Sequence, residues 1–239
     1  MKHELLGLLV CPICQCEFEL RESLREKEEI LEGGLTCRRC DKEFPITGGV
    51  PRVVTDIEEK STAKRFGYEW KKFPELSSAY ERQFLDWISP IDRDFFEGKM
   101  VLDAGCGKGR HVYLASHFGA KMVVGMDVSE AIRVAYANTK DLPNVHLIQA
   151  DIYHPPLKKA FDYIYSIGVL HHLSKPEDGF RALRGLLKPG GTISIWVYGR
   201  EGNGWIVHFV NPLRRFLTSK MPLSILQMMS FPMAFSLYA

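Results

Sequence analysis

Between residues 99 and 199 short apolar runs alternate with amphipathic stretches. Lys99 to Ala104, Lys121 to Asp127, Val145 to Ala150, Phe161 to Ile167 and Thr192 to Tyr198 read as strands. Arg110 to Phe118, Ser129 to Lys140 and Pro176 to Leu187 read as helices, with Ser129 suited to an N-cap and Pro176 to a first helical position. The turn Lys188-Pro189-Gly190-Gly191 leads into the fifth strand. Such alternation predicts an α/β fold built on a doubly wound, mostly parallel sheet. The flanks differ. Asp56 to Lys64 is polar and reads as a linker, and it is followed by aromatic-rich Phe66 to Trp70 and Tyr80 to Ile88. These aromatics either cover the sheet as core or form a lid over a bound cofactor. Trp205 to Ala239 is apolar, and no charge follows Lys220.

The first strand runs into Asp103-Ala104-Gly105-Cys106-Gly107-Lys108-Gly109-Arg110. A strand, a glycine turn and a helix N-terminus place a nucleotide-like cofactor at the carboxyl edge of an open sheet. A phosphate-binding loop would need Ser or Thr after Lys108, where Gly109 stands. A dinucleotide fingerprint would need its third glycine where Arg110 stands. The loop is left with no diphosphate to hold. Asp127 ends the second strand, where its carboxylate can accept both ribose hydroxyls of an adenosine. Asp151 follows the third strand, positioned for an adenine amino group, with Ile152 against the ring. Each acid taken singly is equally a turn or cap residue; their succession on three strands is what points to a ligand.

Cys11-Pro12-Ile13-Cys14 and Cys37-Arg38-Arg39-Cys40 are two CxxC turns with 22 residues between them. Two such turns make a closed four-thiolate site, which predicts structural Zn²⁺ rather than a catalytic metal. Cys16 is a weaker competitor for the site. Residues 1–55 are too few to build much core and would depend on the metal to fold. The charged run Arg21 to Glu32 reads as a solvated hairpin or helix. Composition is that of an ordinary globular protein, with 46% apolar and 25% charged residues and a net charge of +2, which neither requires nor excludes a polyanion. Glu4 interrupts a short apolar start, so Met1 to Val10 is a poor export signal. A cytoplasmic location is expected, and with it metal binding rather than disulfides.

Two resemblances follow from these motifs. Leu9-Val10-Cys11-Pro12-Ile13-Cys14, the second CxxC and Phe44-Pro45-Ile46 through Gly49-Val50-Pro51 resemble the small zinc-ribbon family that activates tRNA, rRNA and protein methyltransferases in trans. Here the ribbon would be fused in cis. VLDAGCGKGR, VVGMDVS, IQADI, FDYIYSIGVLHHL and LLKPGG, in that order, resemble the class I S-adenosylmethionine-dependent methyltransferases, whose sheet is Rossmann-like. The resemblance implies Gly105 and Gly107 against the methionine part, Asp127 on ribose, and Asp151 with Ile152 on adenine. It also implies Asp103 bracing the loop, and Ser166 and Ile167 near the sulfonium through backbone atoms. Cys106 and Val128, inside two of the motifs, join the cofactor-binding set.

The implied reaction is in-line methyl transfer to a nucleophile, a small molecule or RNA. His171 or His172 is a candidate base, although the same pair is a common structural element of the family. The polar loop Tyr198 to Gly204 is a second acceptor-side candidate. The fourth strand ends Ser166-Ile167-Gly168-Val169 rather than in a [DN]PP[YF] motif, and His154-Pro155-Pro156 is on the wrong strand, which disfavours an amide or exocyclic amine target. A non-catalytic module that binds cofactor and partner is the alternative. The expected organisation is a zinc ribbon over 1–55, a linker and helical lid over 56–98, a cofactor domain over 99–204 and an apolar extension over 205–239. No strands six and seven are evident, so the sheet is expected to lack its last strands or the chain to be truncated. The extension, broken by Pro222 and Pro232, suits an interfacial helix, self-association or a pocket cover better than a transmembrane segment.

Overall fold

The computed structural model describes residues 1–55, 70, 72, 74–77, 79–199, 212, 221 and 225. The expectations for the linker, for Phe66 to Tyr68, for Arg200 to Gly204, for strands six and seven and, three single positions aside, for the apolar extension fall outside these residues. Among the described residues no helix is long and apolar enough to cross a membrane.

Among the described residues nine strands form one sheet. They are β1 (Phe18–Glu26), β2 (Glu29–Cys37), β3 (Glu43–Thr47), β4 (Val50–Val53), β5 (Met100–Ala104), β6 (Met122–Asp127), β7 (Val145–Ala150), β8 (Phe161–Ile167) and β9 (Leu187–Trp196). Their order is β1-β2-β3-β4-β7-β6-β5-β8-β9. The last five positions of that order are all parallel, and the order reverses between β5 and β8. That reversal is the crevice at which open α/β sheets bind ligands.

The N-terminal segment is a four-stranded antiparallel meander. Its charged run takes the hairpin form, β1 to β2, turning at Lys27 with φ 52°. The turn from β3 to β4 uses Gly48 and Gly49, both at positive φ, and a side chain at Gly49 would overlap the Tyr136 ring. β4 then pairs in parallel with β7, Arg52 opposite Gln149 and Val53 opposite Ala150. The meander therefore prolongs the cofactor sheet, and residues Met1–Val197 form one compact unit. A second unit, Tyr198–Ala239, contains few described residues.

Helices are α1 (His3–Leu6), α2 (Ala79–Ile88), α3 (Arg110–His117), α4 (Ala131–Thr139) and α5 (Pro176–Arg184). Alternate strand residues feed two cores. Leu102, Val124, Ile148 and Ile164 pack with Leu183 of α5 and with Leu9, Leu35 and Ile46 of the meander. Val101, Val123, Tyr163 and Tyr165 pack with Val112 of α3, Ile132 of α4 and Phe84 of α2. Phe84 is fully buried and stacks on His111 at 4.7 Å, so this aromatic of the bridging region serves as core. β9 begins five residues before the expected Thr192, because the Lys188 to Gly191 turn is absorbed as an irregularity opposite Phe161 to Tyr163, with Gly190 at φ 79°.

Candidate cofactor site and four-thiolate centre

The Sγ atoms of Cys11, Cys14, Cys37 and Cys40 all lie within 4.8 Å of one another. Cys11 to Cys40 is 3.6 Å and Cys14 to Cys37 is 3.3 Å. Tetrahedral zinc with Zn–S bonds of about 2.3 Å sets sulfurs roughly 3.8 Å apart, so the donor set fits. The two turns are built alike. The carbonyl of the first cysteine accepts from the residue after the second: Gln15 N–H to Cys11 at 2.8 Å and Asp41 N–H to Cys37 at 3.1 Å. The amide of the first cysteine donates five residues on, Cys11 to the Cys16 carbonyl and Cys37 to the Lys42 carbonyl. Cys16 thus occupies the place that Lys42 holds in the other turn. It contributes a carbonyl, and its thiol is not in the cluster.

The glycine loop sits at the carboxyl end of β5. Gly105, Gly107 and Gly109 have φ of 90°, 54° and 82°. A Cβ on Gly105 would overlap the Val169 side chain, and one on Gly109 would come within 3.0 Å of the Ala135 Cβ. Glycine is required there by conformation and by space. Asp127, at the end of β6, fixes the loop. Its Oδ2 accepts from Gly107 N–H at 2.8 Å, and its Oδ1 accepts from Ser129 N–H at 2.8 Å and Ser129 Oγ at 2.7 Å. Ser129 Oγ in turn accepts from the Ala131 amide as α4 begins.

Burial raises the Asp127 carboxyl above its ordinary range, and the hydrogen bonds from Ser129 and Gly107 oppose the rise. Asp103, one strand away and 1% exposed, is pushed well above the carboxylate range by burial and then by the Asp127 charge, with Arg110 acting the other way. Buried Asp103 and half-buried Asp127 lie under one loop, where a nearby cation would favour their ionised forms. Cys106 is buried beside them, and burial followed by the Asp103 charge raises its thiol well above the ordinary value.

The remaining predicted residues lie along the same edge. Val128 is an exposed apolar side chain. Asp151 accepts from Tyr153 N–H at 3.0 Å, and Ile152 is buried next to it. Ser166 Oγ donates to the Ala104 carbonyl at 2.7 Å, joining β8 to β5 under the loop. His171 lies in the single 3-10 turn Leu170–His172, which follows Val169. Burial lowers its pKa, and its ring lies 4.1 Å from that of His172.

Aromatics of the bridging region, expected as core or as a lid, reach the glycine loop at Trp70 and Tyr80. Trp70 Nε1 would be 3.1 Å from a Cβ on Gly107. Lys108 is buried, its ammonium donating to the Glu75 carbonyl at 2.9 Å and to Tyr80 Oη at 3.2 Å. Asn138 Nδ2 donates to the Pro74 and Lys108 carbonyls at 2.9 and 3.0 Å. Arg110 sits among the rings of Trp70, Tyr80 and Trp87, at 5.7, 5.0 and 5.5 Å. The density of aromatics ahead of a cationic loop was the available signal.

A crevice of this topology, edged by a glycine turn and acids on successive strands, is where an open α/β sheet takes a nucleotide-like ligand. Comparison with known proteins agrees: residues 102–195 match the methyltransferase domain family, and residues 2–49 match the Trm112p-like protein family. Among curated proteins it is similar to the tRNA U34 carboxymethyltransferase of Pseudoalteromonas translucida, 33% identical over 65% of this chain and 52% of that protein. The tRNA U34 carboxymethyltransferase of Pseudoalteromonas atlantica is 37% identical over 45% of this chain and 34% of that protein. The chain spans about half the length, or less, of these curated relatives. Among solved structures, a SAM-dependent methyltransferase from Aquifex aeolicus is 24% identical over 54% of this chain and 71% of that one, with a TM-score of 0.46.

Proposed function

We propose that this chain binds S-adenosylmethionine at the glycine loop and directs methyl transfer to an RNA acceptor, with structural Zn²⁺ in the four-thiolate centre. The observation that carries the reading is Asp127, which braces Gly107 and Ser129 at the carboxyl edge beside the exposed apolar Val128. The residues present suit the cofactor. Glycines leave the backbone open to close approach, Asp127 offers a half-buried carboxylate at the edge, and Val128 with Ile152 offers apolar contact to an adenine. When bound, the cofactor supplies a methyl group already activated by its sulfonium. The chain's task is then alignment and exclusion of water. Asp127 holds ribose, Asp151 meets the adenine amino group, and Gly105 to Gly107 follow the amino-acid part with Cys106 and Asp103 beneath. His171, whose pKa burial lowers, would be the group to accept a proton from the acceptor. RNA is preferred to a small-molecule acceptor because the similar curated proteins are tRNA U34 carboxymethyltransferases. A cytoplasmic location goes with that acceptor.

Calorimetry with S-adenosylhomocysteine tests the site, and absence of binding would remove the reading. Labelled-methyl transfer into total tRNA and into a small-molecule fraction tests the acceptor. Label confined to the small-molecule fraction would exclude RNA, and the mass of the modified nucleoside reports which group was moved.

A further inference from the structure

We infer that Arg52, on the last strand of the N-terminal meander, is a positioning residue for the cofactor's adenosine end. The inference rests on the site assignment just proposed. β4 brings Arg52 opposite Gln149 at the carboxyl end of β7. From there Arg52 Nη1 donates to Glu130 Oε1 at 3.0 Å. Glu130 stands in the short segment Asp127 to Glu130, which links the acid of β6 to α4. Gln149 closes the bracket from the strand between: its Nε2 donates to the Val128 carbonyl at 3.0 Å and reaches Glu130 Oε1 at 3.5 Å. The far end of Glu130 is held by Arg133 Nε at 2.8 Å. The segment carrying Asp127 and Val128 is thus fastened at Val128 by Gln149 and at Glu130 by Arg52.

These contacts run in one direction. Among the described residues the Arg52 guanidinium hydrogen-bonds Glu130 rather than a residue assigned to the cofactor, so it acts through Glu130. Burial alone would raise the Glu130 carboxyl, but the Arg52 hydrogen bond and charge, with Arg133, hold it below its ordinary range. The pair therefore stays ionised at neutral pH. A loop held at both ends loses less freedom when a ligand orders it, so affinity rises without any new contact to the ligand. Arg52, acting through Glu130, would in this way set how tightly the segment after β6 holds the cofactor.

The test is titration calorimetry with S-adenosylhomocysteine on the full chain, beside thermal melting. Arg52→Ala and, from the other side, Glu130→Gln should each weaken affinity by about three- to tenfold, the range expected of a partly exposed coupled pair. Glu130 is well exposed, so its variant reports even if Arg52→Ala disturbs folding of the meander. The exchange Arg52→Glu with Glu130→Arg should recover most of the loss, which a merely structural role for Arg52 would not produce. Unchanged affinity in both single variants, or an exchange no better than the singles, would overturn the inference while leaving the site assignment intact. No binding by the unaltered chain would instead overturn the assignment on which the inference stands.

Discussion

The residue after each thiol turn and each glycine of the cofactor loop adopt the same left-handed backbone. Gln15 and Asp41 have φ of 60° and 55°, against 90°, 54° and 82° for Gly105, Gly107 and Gly109. Yet one pair carries side chains and the other set carries none. Gln15 and Asp41 are exposed, and the Gln15 amide folds back to donate to the Cys11 carbonyl at 3.4 Å, so neither side chain meets a wall and only the modest conformational penalty remains. Gly105 and Gly109 are walled in by Val169 and Ala135. The thiol turns present side chains to their ligand and use the backbone to shape the turn. The glycine loop is shaped by bare backbone at its three glycines, and the Asp127 carboxylate braces it at Gly107. A site of the first kind is specified by residue identity, and one of the second by the space its neighbours leave.

Removing a thiol should do the most damage. Cys37→Ser is expected to abolish stoichiometric zinc and melt the meander, since metal binding in small ribbons is worth on the order of 10 kcal/mol. Metal content and a melting curve check this, and full zinc in the variant would break the parallel between the two turns. Gly105→Ala should follow, destabilising by about 2–4 kcal/mol through left-handed strain plus overlap with Val169. Adding Val169→Ala should recover only the overlap part, and denaturant unfolding separates the two contributions. Gln15→Gly, by contrast, should be neutral or slightly stabilising.

Asp127→Asn changes neither fold class nor backbone but places an amide where three donors converge. Affinity for S-adenosylhomocysteine should fall by about ten- to a hundredfold, the range for a charged hydrogen bond. The smallest effect concerns Asp162, at the start of β8. Burial would raise its carboxyl, but Lys188, at 2.8 Å, and the Met100 amide hold it below its ordinary range. A depressed carboxylate contributes stability above its unfolded value of about 3.9, and that contribution is lost as pH falls through the folded value. Both partners are partly exposed, so Asp162→Asn should remove no more than about 1 kcal/mol of stability at neutral pH and flatten the acid limb of the unfolding profile.

The glycine loop, the acids of β6 and β7 and the thiol turns were legible as residues because their chemistry restricts which residue types can stand there. The alternation of apolar runs gave the five parallel strands for the same reason. What could not be read was pairing across distance. Val50 to Val53 contains Pro51 and follows two glycines, so it reads as a turn-rich exit rather than as the strand that meets β7. Lys108 served only to exclude a phosphate loop, although its burial against Glu75 and Tyr80 helps cover the cofactor edge. Cys16 looked like a competing ligand until the repeat of the two turns showed that its carbonyl does the work there.

The junction of β4 with β7 has a further consequence, for solubility. Every residue of β7 is buried, and without the meander its outer edge would offer an apolar strand to any passing chain. With the meander in place that flank of the sheet ends instead at β1, whose Glu19, Arg21, Glu22, Arg25 and Glu26 carry both signs of charge and whose pairing is broken near Glu22 to Leu24. Charged, irregular edges resist strand addition. The Trm112p-like segment thus replaces an edge prone to aggregation with one that repels it.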